Sequence, residues 1–269
     1  MLEIHSAGKT DVGRKRPGNE DAFRIDDRLG LYVVSDGMGG HLAGEVASGI
    51  VVETLHGHLK ERPTAEGREG TEESLSPHAD RLLSAIQKAH GEIREMSLAN
   101  PACRGMGATV SAVYRTGDAC VAANVGDSPI YLIHGGRIEL VSVLHTVTAE
   151  HEALSGGEKS PLDKRFSHVL TRAMGVGDKL SPDLCEIQCF PGDIIVICSD
   201  GLSDKLSPEE IMAEAAERPP AEAVDTLVAM ANDRGGEDNI TVVILRFESP
   251  GILERVLGGL ARGMKRLLP

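Results

Sequence analysis

Acidic residues close the apolar runs of this chain at widely separated places. The run LYVV at 31–34 leads into SDGMGGH, and IIVIC at 194–198 leads into SDGLSD, so Asp36 and Asp200 each end a buried-strand pattern and precede a glycine. Glu20 and Asp21 in RPGNEDAF, Asp127 in ANVGDSPIY and Asp238 in RGGEDNITVV stand at further strand ends or turns. A carboxylate at the end of an apolar strand is costly to bury unpaired, and its expected partner is a cation. Glycine lets the backbone approach closely and aim a carbonyl at an ion. All-oxygen ligation of this kind suits a hard cation such as Mg²⁺ or Mn²⁺. Several converging carboxylates suit two ions about 3.5–4 Å apart, the spacing used for in-line displacement at phosphorus. A lone Asp-Gly is more simply a turn residue or a cap. Five acidic sites in strand context favour a shared centre.

The elements that must carry these residues follow from periodicity. LEIHSAG at 2–8 alternates as a strand, and AFRID at 22–26 pairs with LYVVS at 31–35 as a hairpin around DRLG. Helices are expected over 43–59 and about 78–98, the second with Leu82, Leu83, Ile86, Ala89, Ile93 and Met96 on one face. Four strands follow between 106 and 142, then a helix at 145–154 and a polar segment at 151–167. Further strands are expected at 168–171, 183–189 and 193–198, helices at 207–218 and 221–234, and a last strand at 239–247. Ser207 with Glu210 three residues on reads as a helix start. The pattern fits packed sheets covered by helices in one domain.

Composition narrows the function classes. The net charge is −13, which argues against broad electrostatic binding of nucleic acid. Aromatic residues are scarce and tryptophan is absent, so aliphatic side chains must fill the core. Cys103, Cys120, Cys185, Cys189 and Cys198 are odd in number and lack CxxC spacing, which favours thiols in a reducing compartment over a zinc site. MLEIHSAGKT lacks a signal-peptide h-region, and no apolar run reaches membrane-span length. A cytoplasmic enzyme or binding protein is expected. No P-loop motif is present, and DDRLG lacks the spacing of an EF-hand loop.

The segments RPGNEDAF, SDGMGGH, MGATVSAV, ANVGDSPIY, VLTRAMG, VICSDGLSD and GGEDNITVV, in that order, resemble the successive motifs of the metal-dependent protein phosphatases, type 2C, in their short bacterial form. Together they span nearly all of residues 5–246. The resemblance implies an α+β fold: a four-layer α-β-β-α sandwich, two central antiparallel sheets flanked by helix pairs, with a dinuclear metal centre at one edge. It implies hydrolysis of phosphoserine and phosphothreonine on proteins by metal-activated water, with Mn²⁺ or Mg²⁺ as two ions and a looser third.

Carried onto this chain, the resemblance assigns roles residue by residue. Asp36 bridges the two metals and the Gly37 carbonyl reaches one of them. Asp200 and Asp238 hold the first metal. Glu20 and Asp21 lie around the second, and which of them is nearer is left open. Asp127, with Asp200, serves the third. Arg16 grips the substrate phosphate, a task for which its planar fork suits better than lysine. Asn239 supports the ligands from behind. His41 is a candidate general acid, with a metal-bound water or a simple helix-start histidine as the alternatives. The partners implied are a phosphorylated protein and a cognate serine/threonine kinase; the chain is expected to be a monomer.

Two positions depart from the family pattern. Pro129 stands where GDSR would place arginine, and Leu144 replaces the aspartate of an Asp-His-Ser segment while His145 remains. They are the support for an alternative reading, a catalytically inactive phosphoprotein-binding module on the same fold. A phosphatase acting on a phosphorylated anti-sigma antagonist is a further alternative. Residues 1–248 read as the catalytic domain and 249–269 as a basic amphipathic helix or tail. In that tail Ile252, Leu253, Val256, Leu257, Leu260, Met264, Leu267 and Leu268 oppose Arg255, Arg262, Lys265 and Arg266. Such a segment lies on a membrane surface, docks a partner or packs on its own domain.

Overall fold

The computed structural model describes residues 1–39, 43–61, 76–156, 166 and 168–250. His41, most of the polar segment 151–167 and the tail from 251 onward lie outside the described residues.

Two antiparallel sheets form the centre. One is ordered β1 (Glu3–Asp11), β11 (Ile240–Glu248), β10 (Ile194–Cys198), β7 (Ile130–His134), β8 (Arg137–Leu140). The other is ordered β2 (Asp21–Asp26), β3 (Leu31–Met38), β5 (Val110–Thr116), β6 (Ala119–Val125), β9 (Asp183–Gln188), with the short β4 (Gly107–Ala108) on the end of β3. Helices α1 (Ala43–Lys60) and α2 (Pro77–Ala99) cover the second sheet, burying Val51, Leu55, Leu82 and Ile86 against Leu31 and Val33. Helices α5 (Pro208–Glu217) and α6 (Pro220–Asp233) cover the first, burying Ile211 and Leu227 against Val196 and Ile244. Between the sheets pack Tyr32, Val34, Val113, Ile195, Ile197, Val243 and Leu245. This is the four-layer α-β-β-α sandwich expected from the sequence. Burying each such aliphatic side chain contributes about 1.5–3 kcal/mol, which is how a core almost without aromatics suffices.

Local signals act as their chemistry dictates. The hairpin turns at Asp26, whose Oδ1 accepts from the Arg28 and Leu29 N–H groups, and Gly30 takes the positive φ of 74° that closes the turn. Ser207 and Glu210 form a reciprocal capping box at α5.

Some expectations are corrected. Residues 168–171 form no strand; Leu170 makes a single bridge to Thr146 just before α3 (Val147–Leu154). Leu83 is only half-buried and Met96 is exposed, because the face of α2 that meets the sheet runs through Ala79, Leu82, Ala85, Ile86, Ala89, His90 and Ile93 instead. The first of the four strands expected between 106 and 142 is broken at Thr109 into β4 and β5.

Strand parity places the chemistry. Side chains alternate between faces along a strand. On β3, Tyr32 and Val34 face the other sheet, so Asp36 is aimed into the same inter-sheet space. Phe23 and Ile25 do the same for Asp21, and Val243 and Leu245 for Thr241. Ile195 and Ile197 carry the alternation to Ser199. The apolar rows of both sheets thus turn polar at one common end of the sandwich.

Candidate metal centre

A cleft of about 660 Å³ opens at that end. Arg16, Glu20, Asp36, Gly37, Asp127, Asp200 and Asp238 line it. The structure therefore brings together every expected site residue among the described ones except Asp21, which lies directly beneath. Asp21 is opposite Asp36 in the β2–β3 register. Its Oδ2 accepts from Ser199 Oγ at 2.7 Å and Thr241 Oγ1 at 2.6 Å. Ser199 is the N-cap residue of the short turn α4 (Asp200–Ser203), yet its hydroxyl serves Asp21 and not the helix.

The backbone around the cleft is too close for side chains. A Cβ on Gly37 would lie 2.1 Å from the Gly44 carbonyl oxygen of α1 and 2.6 Å from the Glu20 oxygen. A Cβ on Gly201 would lie 1.9 Å from the Asn239 oxygen. These two glycines let α1 and α4 start against the strand ends and carry Glu20, Asp36, Asp200 and Asp238 to one point. Asn239, almost fully buried, ties the loop before β2 to β11: its Oδ1 accepts from Glu20 N at 2.8 Å, and its Nδ2 donates to the Val12 and Gly18 carbonyls. Arg16, on that loop, donates from Nη2 to Asp238 Oδ2 at 2.7 Å.

The turn bearing Asp127 is held from below. Thr109 Oγ1 accepts from the Asp36 N–H and lies 2.9 Å from Ser128 Oγ. The Gly126 N–H donates to Nδ1 of the fully buried His145, whose own N–H donates back to the Gly126 carbonyl. Nε2 of His145 donates to Asp183 Oδ2 at 2.6 Å, and Arg172 Nη1 donates to the same oxygen at 2.7 Å.

Electrostatics mark the cleft as a site for positive charge. Burial, then the carboxylates of Asp21, Asp200, Asp127 and Asp238, push the Asp36 carboxyl well above its ordinary range. Burial raises Asp21 to about 7 against the help of Thr241 and Ser199. Burial and the charge of Asp200 raise Asp127 to about 7. Asp21 Oδ1 and Asp200 Oδ1 are buried without a hydrogen-bond partner. Orphaned carboxylate oxygens in a cluster of like charges are the donor set of a hard divalent cation. The residues present fit the two ions that the resemblance implies.

Further cleft residues went unread in the sequence. His168 Nδ1 lies 3.8 Å from Asp200 Oδ2 and 3.6 Å from Asp204 Oδ2, and these carboxylates, Asp200 foremost, raise its pKa to about 9. Arg172, Lys205 and Glu237 also line the wall, Lys205 paired with Glu237. Asp204 was open to prediction, since it follows Asp200 by one helical turn. His168 was not.

The model of the family described as protein phosphatase 2C matches residues 10–240. The chain belongs to that family. A putative protein phosphatase 2C-type of Streptococcus pyogenes serotype M6 is 32% identical over 255 residues, covering 91% of this chain and 98% of its own. The serine/threonine phosphatase stp of Listeria monocytogenes serotype 4b is 35% identical over 250 residues, covering 90% and 95%. Among solved structures, the catalytic domain of the serine/threonine protein phosphatase PstP in complex with two manganese ions superposes with a TM-score of 0.79 at 28% identity, covering 93% of this chain and all of that one. The fold of this 2C-family chain is thus shared with enzymes of that class over nearly its full described length.

Proposed function

We propose that this chain is a metal-dependent protein-serine/threonine phosphatase, a phosphoric monoester hydrolase that opposes a bacterial serine/threonine kinase. The observation that carries this reading is the convergence of Asp21, Asp36, Asp200 and Asp238 at one end of the inter-sheet space, with unpaired buried oxygens on two of them and Arg16 at the rim. Asp200 and Asp238 would hold the first divalent ion, Asp36 would serve both the first and the second, and the Gly37 carbonyl would reach one of the two. Glu20, on the cleft wall, and Asp21, beneath it, would serve the second, and Asp127 with Asp200 a third. When bound, Mn²⁺ or Mg²⁺ supplies acidified water and neutralises phosphoryl charge.

The chain's own groups do the rest. Arg16 has N–H groups beyond the one given to Asp238, and its fork binds phosphoryl oxygens in a fixed orientation. The hydrogen bonds of Asn239 hold the Arg16–Glu20 loop in register with Asp238, so phosphate grip and metal ligands move as one body. Arg172 and Lys205 add positive charge to an otherwise acidic wall, which favours the approach of a phosphorylated side chain. Pro129 and Leu144 do not line the cleft, and every expected carboxylate is in place, which favours an active enzyme over a binding module.

The reading extends to one catalytic unit over residues 1–248, a monomer, with a cytoplasmic location. The five unpaired cysteines support that location, and no helix among the described residues is long and apolar enough to cross a membrane. The basic amphipathic helix or tail expected over 249–269 lies, from 251 on, outside the described residues. The test is phosphate release from a phosphothreonine peptide by the purified chain with Mn²⁺, with Mg²⁺ and with EDTA. Turnover with either metal and none with EDTA is expected. A folded, metal-loaded chain that releases no phosphate would sink the reading.

A further inference from the structure

Asp127, His168 and Asp200 each offer one ligand atom, and the three atoms lie within 4.8 Å of one another. Donor atoms around one octahedral ion stand roughly 3–4.4 Å apart. His168 Nδ1 is 3.8 Å from Asp200 Oδ2, inside that range. The other oxygen of Asp200, Oδ1, is buried with no partner.

One segment fixes both arms of this cluster. The His145 backbone N–H donates to the Gly126 carbonyl, next to Asp127, its ring Nδ1 accepts from the Gly126 N–H, and its carbonyl accepts from the Thr171 N–H. Val147 N donates to the Val169 carbonyl, next to His168, and Thr146 bridges Leu170. Asp127 and His168 therefore sit on turns stapled to the same three residues. Asp200 joins them from the start of α4.

We infer that His168 supplies a nitrogen ligand to the divalent ion held by Asp127 and Asp200, and that this ligand makes the position selective for Mn²⁺ over Mg²⁺. Mg²⁺ demands oxygen donors in near-ideal octahedral geometry, whereas imidazole suits first-row transition ions. The other positions of the centre are furnished by oxygen alone among the described residues, so the two ions there discriminate less. The inference rests on the metal-dependent reading proposed above and gives one of its sites a metal preference.

The test uses the full chain stripped with EDTA and titrated with MnCl₂ or MgCl₂ by calorimetry, with pulsed electron paramagnetic resonance on the Mn²⁺-loaded samples. Wild type is compared with His168→Ala, His168→Gln and Asp127→Asn. In wild type, the weakest Mn²⁺ is expected to show a ¹⁴N coupling. Both His168 variants should lose that coupling and weaken the same ion roughly tenfold or more, leaving the tighter ions in place and Mg²⁺ binding little changed. Asp127→Asn should remove the same weakest ion. Unchanged affinity for the weakest Mn²⁺ and no ¹⁴N coupling that depends on residue 168 would overturn the assignment while leaving the phosphatase reading intact. A chain that binds no Mn²⁺ at any position would overturn both.

Discussion

A single methyl group placed at Gly201 should disable the centre while leaving the protein folded. The Cβ of Gly201→Ala would stand 1.9 Å from the Asn239 carbonyl oxygen and 2.9 Å from its carbon. Ordinary contact begins near 3.4 Å, so α4 and the entry to β11 must part by about 1.5 Å. Asp200 rides on the first of these and Asp238 on the second. A misplacement of about 1 Å at a reacting centre costs on the order of 100-fold in rate. Overpacking of this kind costs about 1–3 kcal/mol in stability, too little to unfold a domain of this size. The assay is Mn²⁺-dependent hydrolysis of p-nitrophenyl phosphate beside a thermal melt. Gly49→Ala is the control, because nothing lies within 4 Å of a Cβ there and its helical site should gain up to about 1 kcal/mol. A Gly201→Ala enzyme with wild-type rate and melting temperature would refute the idea that this close approach sets the spacing of Asp200 and Asp238.

Other consequences can be measured separately. Asp21 is raised from 3.8 to about 7 in the folded state, so the stability tied to its proton is complete below the unfolded value and lost as pH rises through the folded one. In EDTA, wild type should lose on the order of 4 kcal/mol more than Asp21→Asn between pH 4 and 8 by urea unfolding; parallel curves would contradict this. Arg16→Lys keeps the charge and loses the fork, so kcat/KM for a phosphothreonine peptide should fall roughly 10–100-fold with Mn²⁺ affinity retained, and an unchanged kcat/KM would remove Arg16 from phosphate binding. Asn239→Ala breaks three hydrogen bonds of a buried side chain and should lower stability by about 2–4 kcal/mol, read as a melting temperature lower by roughly 4–16 °C; a shift below that range would mean that water replaces the amide.

The metal centre was legible in the sequence to the extent that strand parity is local. Tyr32 and Val34 alternate toward the opposite sheet, and the same period aims Asp36 into the inter-sheet space. The runs before Ser199 and after Asp21 work the same way. The close approaches at Gly37 and Gly201 were signalled by glycine following aspartate, although their partners, Gly44 and Asn239, come from distant segments. His168 gave no such signal. Its segment has no helical or alternating period, and its place is fixed by bonds from Val147, Thr146 and His145, which only the fold brings near. The expected strand at 168–171 failed for the same reason: three apolar and β-branched residues in a row meet a single bridge partner, not a ladder. Met96 followed the helical period but lies on the exposed side of the last turn of α2.

The most direct test of the central claim is the metal-dependent turnover of Asp36→Asn and Asp200→Asn beside wild type, with folding checked by circular dichroism. Asp36 is the most strongly crowded carboxylate of the cleft, and Asp200 carries a buried oxygen with no partner. Folded variants that release no phosphate from a phosphothreonine peptide at any Mn²⁺ concentration, beside an active wild type, are the expected result. Wild-type turnover in either variant would contradict the assignment of this carboxylate cluster as the catalytic metal centre.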